Sequence, residues 1–124
     1  MIYSDEMATS TSAATTYTAM TGSPYSPLKN GKLRKLQLVL GGDAVTTLIE
    51  MVVVKLTCPD WGVPIIIANV GPNLRTAPCD TLPITEQICD VPVTQSSKIT
   101  IEVKNETGAT PVTPRYSLIG VFEG

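Results

Sequence analysis

Histidine is missing from this 124-residue chain. Its absence removes the commonest general base, the usual proton partner of a nucleophilic serine or cysteine, and the commonest metal ligand. Charge is sparse too: 16% of the residues are charged and the net charge is −2, where an ordinary globular domain carries about a quarter. So low a charge is expected where surface is covered by copies of the same chain, and it gives no long-range pull toward nucleic acid or acidic membranes. Aromatic residues make up 5%, with Trp61 the single tryptophan. Cysteine occurs three times, at Cys58, Cys79 and Cys89, without a CxxC pair. A zinc site would lack its usual ligand set, and neither a metal nor another cofactor is expected.

Other absences narrow the chemistry further. There is no GxSxG elbow, no GxxxxGK[ST] phosphate loop, no dinucleotide GxGxxG before a helix and no calcium loop. Without histidine, paired carboxylates are the remaining route to hydrolysis. Asp80, Glu86 and Asp90 are the one cluster, and their spacing does not set them across a cleft, so no enzyme is expected. Glu50 and Lys55 interrupt the longest apolar run, which falls short of the roughly 18 residues of a membrane helix. No membrane partner is expected. The start, MIYSDEMATSTS, has acids where a secretory signal needs a basic segment, so no secretory signal is evident and a cytoplasmic location is the default expectation.

What the chain has in quantity is strand. Val45 to Thr57, VTTLIEMVVVKLT, is apolar on both parities, so it needs cover on both faces, from its own chain or from another subunit. Lys98 to Lys104 alternates, with Ile99, Ile101 and Val103 on one face and Lys98, Thr100, Glu102 and Lys104 on the other, the pattern of a half-buried antiparallel strand. KLQLVL, ending at Leu40, is a strand that enters a Gly41-Gly42-Asp43 turn, and the spacing predicts an antiparallel hairpin with the long strand that follows. Val63 to Val70 and Tyr116 to Phe122 add two more. Prolines at 72, 78, 83 and 92 turn the stretch between into loops with one or two short strands around Ile84 to Val93. No helical stripe appears, so the expected fold is all-β: an antiparallel β-sandwich, with a single jelly roll as the preferred topology.

Residues 1–27 are rich in Ser and Thr and poor in large apolar groups, which predicts an extended N-terminal arm outside a sandwich domain spanning 28–124. TTYTAM within it could instead add as a strand to a sheet edge, on its own subunit or a neighbour. Candidate interface residues are therefore Thr16 and Tyr17 in the arm, and Ile49, Met51 and Val53 on one parity of the long strand. Lys29, Lys32, Arg34 and Lys35 form the one charge run. Phosphate or nucleic-acid contact is its functional reading; a solvated, positively charged strand edge is the reading the missing aromatic interleaving favours. Trp61 caps the end of a core or stacks on a sugar. Cys79 and Cys89 are either bonded or two free thiols, and Asn105-Glu106-Thr107 is formally a glycosylation acceptor with no secretory context to support its use.

The arm MATSTSAATTYTAM, the basic stretch LKNGKLRK leading into QLVLGG, and the late strands KITIEVKN and YSLIGVFEG joined by a Pro-rich loop together resemble the small single jelly-roll subunits of virus capsids and related virion proteins. The resemblance spans nearly the whole chain. It implies two packed sheets, a location in the virion, and a capsid, decoration or spike role through homo-oligomers, trimers or higher, with other virion proteins as further partners. The arm is less basic than genome-holding arms, so nucleic acid is not an expected partner. Two alternatives stand beside it. One is a carbohydrate- or ligand-binding sandwich with Trp61 and one or more of Tyr17, Tyr25 and Tyr116 as a platform. The other is a fibre or pilus-like subunit joined by exchange of its N-terminal strand.

Overall fold

The computed structural model describes residues 1–12, 14–41, 49–72, 84–106 and 115–124. Among them are eight strands: β1 (Ile2–Ser10), β2 (Thr18–Ala19), β3 (Gly31–Gly41), β4 (Ile49–Thr57), β5 (Ile65–Pro72), β6 (Ile84–Val93), β7 (Thr100–Asn105) and β8 (Arg115–Glu123). They form two antiparallel four-stranded sheets. Sheet A has the order β1-β8-β3-β6 and sheet B the order β2-β7-β4-β5. The all-β sandwich expected from the apolar periodicities is therefore the architecture of the chain.

The two sheets meet through the buried side of each strand. Leu33, Leu36, Leu38, Tyr116, Leu118 and Phe122 come from sheet A, and Val52, Val54, Leu56, Ile67, Ile101 and Val103 from sheet B, all buried. Facing sheets of this kind gain roughly 1.5–3 kcal/mol for each fully covered aliphatic or aromatic side chain. Gly120 is set by close approach: a Cβ there would stand 2.7 Å from Met7 Sδ and from the Phe122 ring. Its missing side chain lets β1 lay Met7 across β8. Tyr3 and Tyr25 stack on Phe122, at centroid distances of 5.3 and 5.9 Å. One polar pair crosses the core: Asn105 Nδ2 of β7 donates to the Tyr116 hydroxyl of β8 at 3.4 Å, both residues being buried.

Two expectations about arrangement are corrected. β3 and β4 are not a hairpin, because β3 is bonded to β6 and β8 while β4 is bonded to β5 and β7. Each strand already has both edges filled within its own sheet, so the connection between them passes from one sheet to the other. Residues 42–48, which hold most of the expected Gly41-Gly42-Asp43 turn and the first residues of the long apolar run, lie outside the described residues. The second correction concerns the N-terminal stretch, which is extended but does not stand apart from the sandwich. Ile2–Ser10 pairs with β8 along its length, and residues 14–25 line the free edge of β7. The Asn105 N–H donates to the Ala14 carbonyl, the Met20 N–H to the Ile101 carbonyl, and Tyr25 and Ile99 exchange both backbone bonds at 2.8 and 2.9 Å. Met7 and Met20 anchor these edges in the core, each 2% exposed. Few apolar residues suffice because an edge strand has only one neighbour and one core face to satisfy.

The remaining strands match their sequence patterns closely. Ile99, Ile101 and Val103 are buried while Lys98 and Thr100 are exposed, with Glu102 and Lys104 half-buried. β6 is one continuous strand of ten residues, Ile84–Val93, where loops with one or two short strands were expected, and the strand expected from Val63 begins two residues later, after Pro64.

Candidate assembly surface

β4 places Val52, Val54 and Leu56 in the core and Met51, Val53 and Lys55 on the outer face of sheet B. Register then sets their neighbours: Val53 lies between Lys104 of β7 and Ala68 of β5, and Lys55 between Glu102 and Ile66. Val53 is 8% exposed and Met51 half-buried. The outer face is thus apolar toward β5 and charged toward β7. At the charged side the Tyr17 ring carries two ammonium groups, Lys55 Nζ at 4.3 Å and Lys104 Nζ at 4.7 Å from its centroid. Lys55 also faces Glu102 at 3.6 Å, and Lys104 pairs with Glu106 at 2.6 Å. The hydrogen bond to Glu106 raises the Lys104 pKa above the usual lysine value.

Of the candidate interface residues, Tyr17, Met51 and Val53 come together on this face, and Thr16 beside Tyr17 is exposed. Ile49 begins β4; its side chain lies outside the described residues. The arm and the long strand, 32 residues apart at Tyr17 and Ile49, therefore contribute to one side of one sheet.

The basic run lies on the opposite side of the molecule, on the outer face of sheet A. A β-bulge between Leu33 and Lys35 turns both Arg34 and Lys35 outward while Leu33 and Leu36 stay buried. Acids meet them across the strands. Asp90 lies 3.8 Å from Lys32 and 3.2 Å from Arg34, Glu123 lies 3.6 Å from Arg34, and Glu86 lies 3.1 Å from Lys35. Hydrogen bonds from Gln37 and then Lys35 hold the Glu86 carboxyl below its ordinary pKa. Three of the four cations proposed for phosphate contact are thus matched inside the chain. Lys29 lies 3.8 Å from the Met1 sulfur, and among the described residues no acid pairs with it. Glu86 and Asp90, two of the three acids weighed as catalytic carboxylates, sit on one strand as these partners; Asp80 lies outside the described residues. Sequence reasoning missed the match, although Glu86, Ile88 and Asp90 alternate outward along β6 as Lys35 and Gln37 do along β3.

The aromatic candidates are dispersed. Tyr25 and Tyr116 are core residues. The Tyr25 hydroxyl donates to Asp5 at 2.6 Å, and burial followed by that bond raises its pKa. The Trp61 indole N–H donates to the Pro92 carbonyl at 3.0 Å and its ring packs partly on the core, the capping role. Only Tyr17 lies on an outer face, under its two lysines, so these four rings do not make a common platform. Cys58 is buried and Cys89 half-buried, both as free thiols, while Cys79 lies outside the described residues. Asn105 is fully buried, which rules out glycosylation of the folded chain at that position.

No known protein family, no curated protein and no solved structure matches this chain.

Proposed function

We propose that the chain is a structural subunit that assembles with copies of itself, a single jelly roll of the kind used in virion shells and their decorations. The observation that carries this reading is the nesting of the strand pairs. β1 pairs β8 and β3 pairs β6 in one sheet, while β2 pairs β7 and β4 pairs β5 in the other. Four antiparallel pairs, one inside the next and falling alternately on the two sheets, are what results when a long hairpin is rolled around a core. Jelly-roll shell proteins have that order of eight strands.

Self-assembly is supported by what the sandwich leaves outside. Ile88 on sheet A is 84% exposed, and Val63 and Ile66 beside and within β5 are 74% and 48% exposed. Together with the half-buried Met51, these apolar groups supply contact surface on a chain with little charge to keep copies apart. Sedimentation velocity over a wide concentration range tests the reading. A defined species of more than one copy is expected at micromolar concentration, and a monomer at every concentration would overturn it.

A further inference from the structure

The sandwich has four sheet edges, and three of them carry a device against pairing with another chain. β1 has Asp5, Glu6 and a bulge between Glu6 and Ala8. β6 has Glu86, Asp90 and Pro92. On the β2 side, regular strand is limited to two residues, and Gly22 and Pro24 break the line that follows. Short length, charge, proline and bulges are among the ways in which natural sheets blunt an edge. β5, Ile65–Pro72, uses none of them along its body. It runs for eight residues, IIIANVGP, without an ionisable side chain, and its proline comes last. Among the described residues it is hydrogen-bonded only to β4.

We infer that β5 is the contact through which two copies join, the β5 strands lying antiparallel across a two-fold axis so that the two four-stranded B sheets become one continuous sheet. The inference rests on the self-assembly reading and names its surface. A strand paired with itself about a two-fold axis needs no second complementary patch, because each copy offers the same row of N–H and C=O groups. Nor does it need opposite charges, which this edge lacks. Ile65 and Ile67 point to the core while Ile66 and Ala68 are exposed on the outer face. A second β5 would therefore set Ile66 against its symmetry mate's strand and extend the apolar side of the outer face, Met51 and Val53 included. Val63, just before the strand, would be covered by the same neighbour.

Ala68→Lys tests this, with Ser4→Lys as a control that puts the same charge on an exposed position of the β1 edge. Sedimentation velocity should show that Ala68→Lys raises the dissociation constant roughly tenfold or more, because two like charges meet near the axis. Ser4→Lys should associate like the parent chain, and both variants should melt like it in dilute solution. Hydrogen exchange gives a second reading on the unaltered chain. The β5 amides that point away from β4 should gain protection as concentration rises. If Ala68→Lys associates normally, or those amides exchange at a rate independent of concentration while the chain associates, the β5 contact is wrong and self-assembly stands. If the unaltered chain never associates, both fall. Should Ala68→Lys fail to fold, the exchange experiment alone decides.

Discussion

The outer faces of the two sheets are built from different materials although the inner faces are alike. On sheet A the cations of β3 meet acids of β6 and β8, so that a cluster conspicuous in the sequence is largely neutralised at home. On sheet B, charge is gathered at the β7 side around Tyr17, and the β4–β5 side is left to Met51, Val53, Ile66 and Ala68. The contrast teaches that a charge run is not by itself a binding patch. What matters is whether the neighbouring strand returns the opposite sign in register.

The shared inner faces give the largest test. Ile101→Ala in sheet B and Leu118→Ala in sheet A, both fully buried, should each lose about 2–5 kcal/mol in urea unfolding. Thr100→Ala and Ser117→Ala should stay within about 0.5 kcal/mol. Equal losses at Ile101 and Thr100 would erase the distinction between inside and outside. Next is the polar pair that spans the sheets. Asn105→Ala should cost about 1–3 kcal/mol because it strips a partner from a buried hydroxyl, and a double-mutant cycle with Tyr116→Phe should show coupling between the two positions.

Alkaline pH probes two acidic groups, half-buried Cys89 on β6 and buried Tyr25 beside the β7 edge. Burial, and after it the Asp90 charge, pushes the Cys89 thiol up to about 11 from 9.0, and Tyr25 is raised by burial and by its bond to Asp5. In both cases the fold prefers the protonated form. The stability this contributes is complete below the ordinary pKa and is lost as pH rises through the raised one. Melting temperature should therefore fall between pH 9 and 11, less steeply in Cys89→Ala, and a flat profile for the parent chain would contradict the burial of these groups. The smallest effect concerns the ion pairs. The triple variant Glu86→Gln, Asp90→Asn, Glu123→Gln should leave stability nearly unchanged, because solvent-exposed pairs contribute little, yet it should acquire salt-dependent retention on heparin that the parent lacks. Equal retention by both would mean that the cations were available from the start.

Much of the sandwich was legible because burial imposes a period of two: β7 and β8 are visible as alternation or as a bounded apolar run, whereas the recurring prolines hid the full length of β6. Pairing was not, since a period reports which face a residue takes and says nothing of which strand lies beside it. Hence β3 and β4, adjacent in sequence, suggested a hairpin that the sheets do not contain. The N-terminal strands were obscured by their Ser and Thr content, although Tyr3 and Met7 on one parity of β1 mark its inner face. For the candidate surface, Tyr17, Met51 and Val53 could be named from composition, but the acids facing Lys32, Arg34 and Lys35 required the register of β6 and β8.

The order of the strands also dictates when the molecule can exist. Among the eight, β4 and β5 are the sole bonded pair that follow one another along the chain; β1 and β3 both wait for β8. During synthesis β1 and β3 would stand without their shared neighbour until β8, residues 115–123, had followed them. Such distant closures fold in milliseconds to seconds rather than microseconds. Removing β8 would take away more than a strand, because among the described strands β1 would lose its one partner and β3 one of its two.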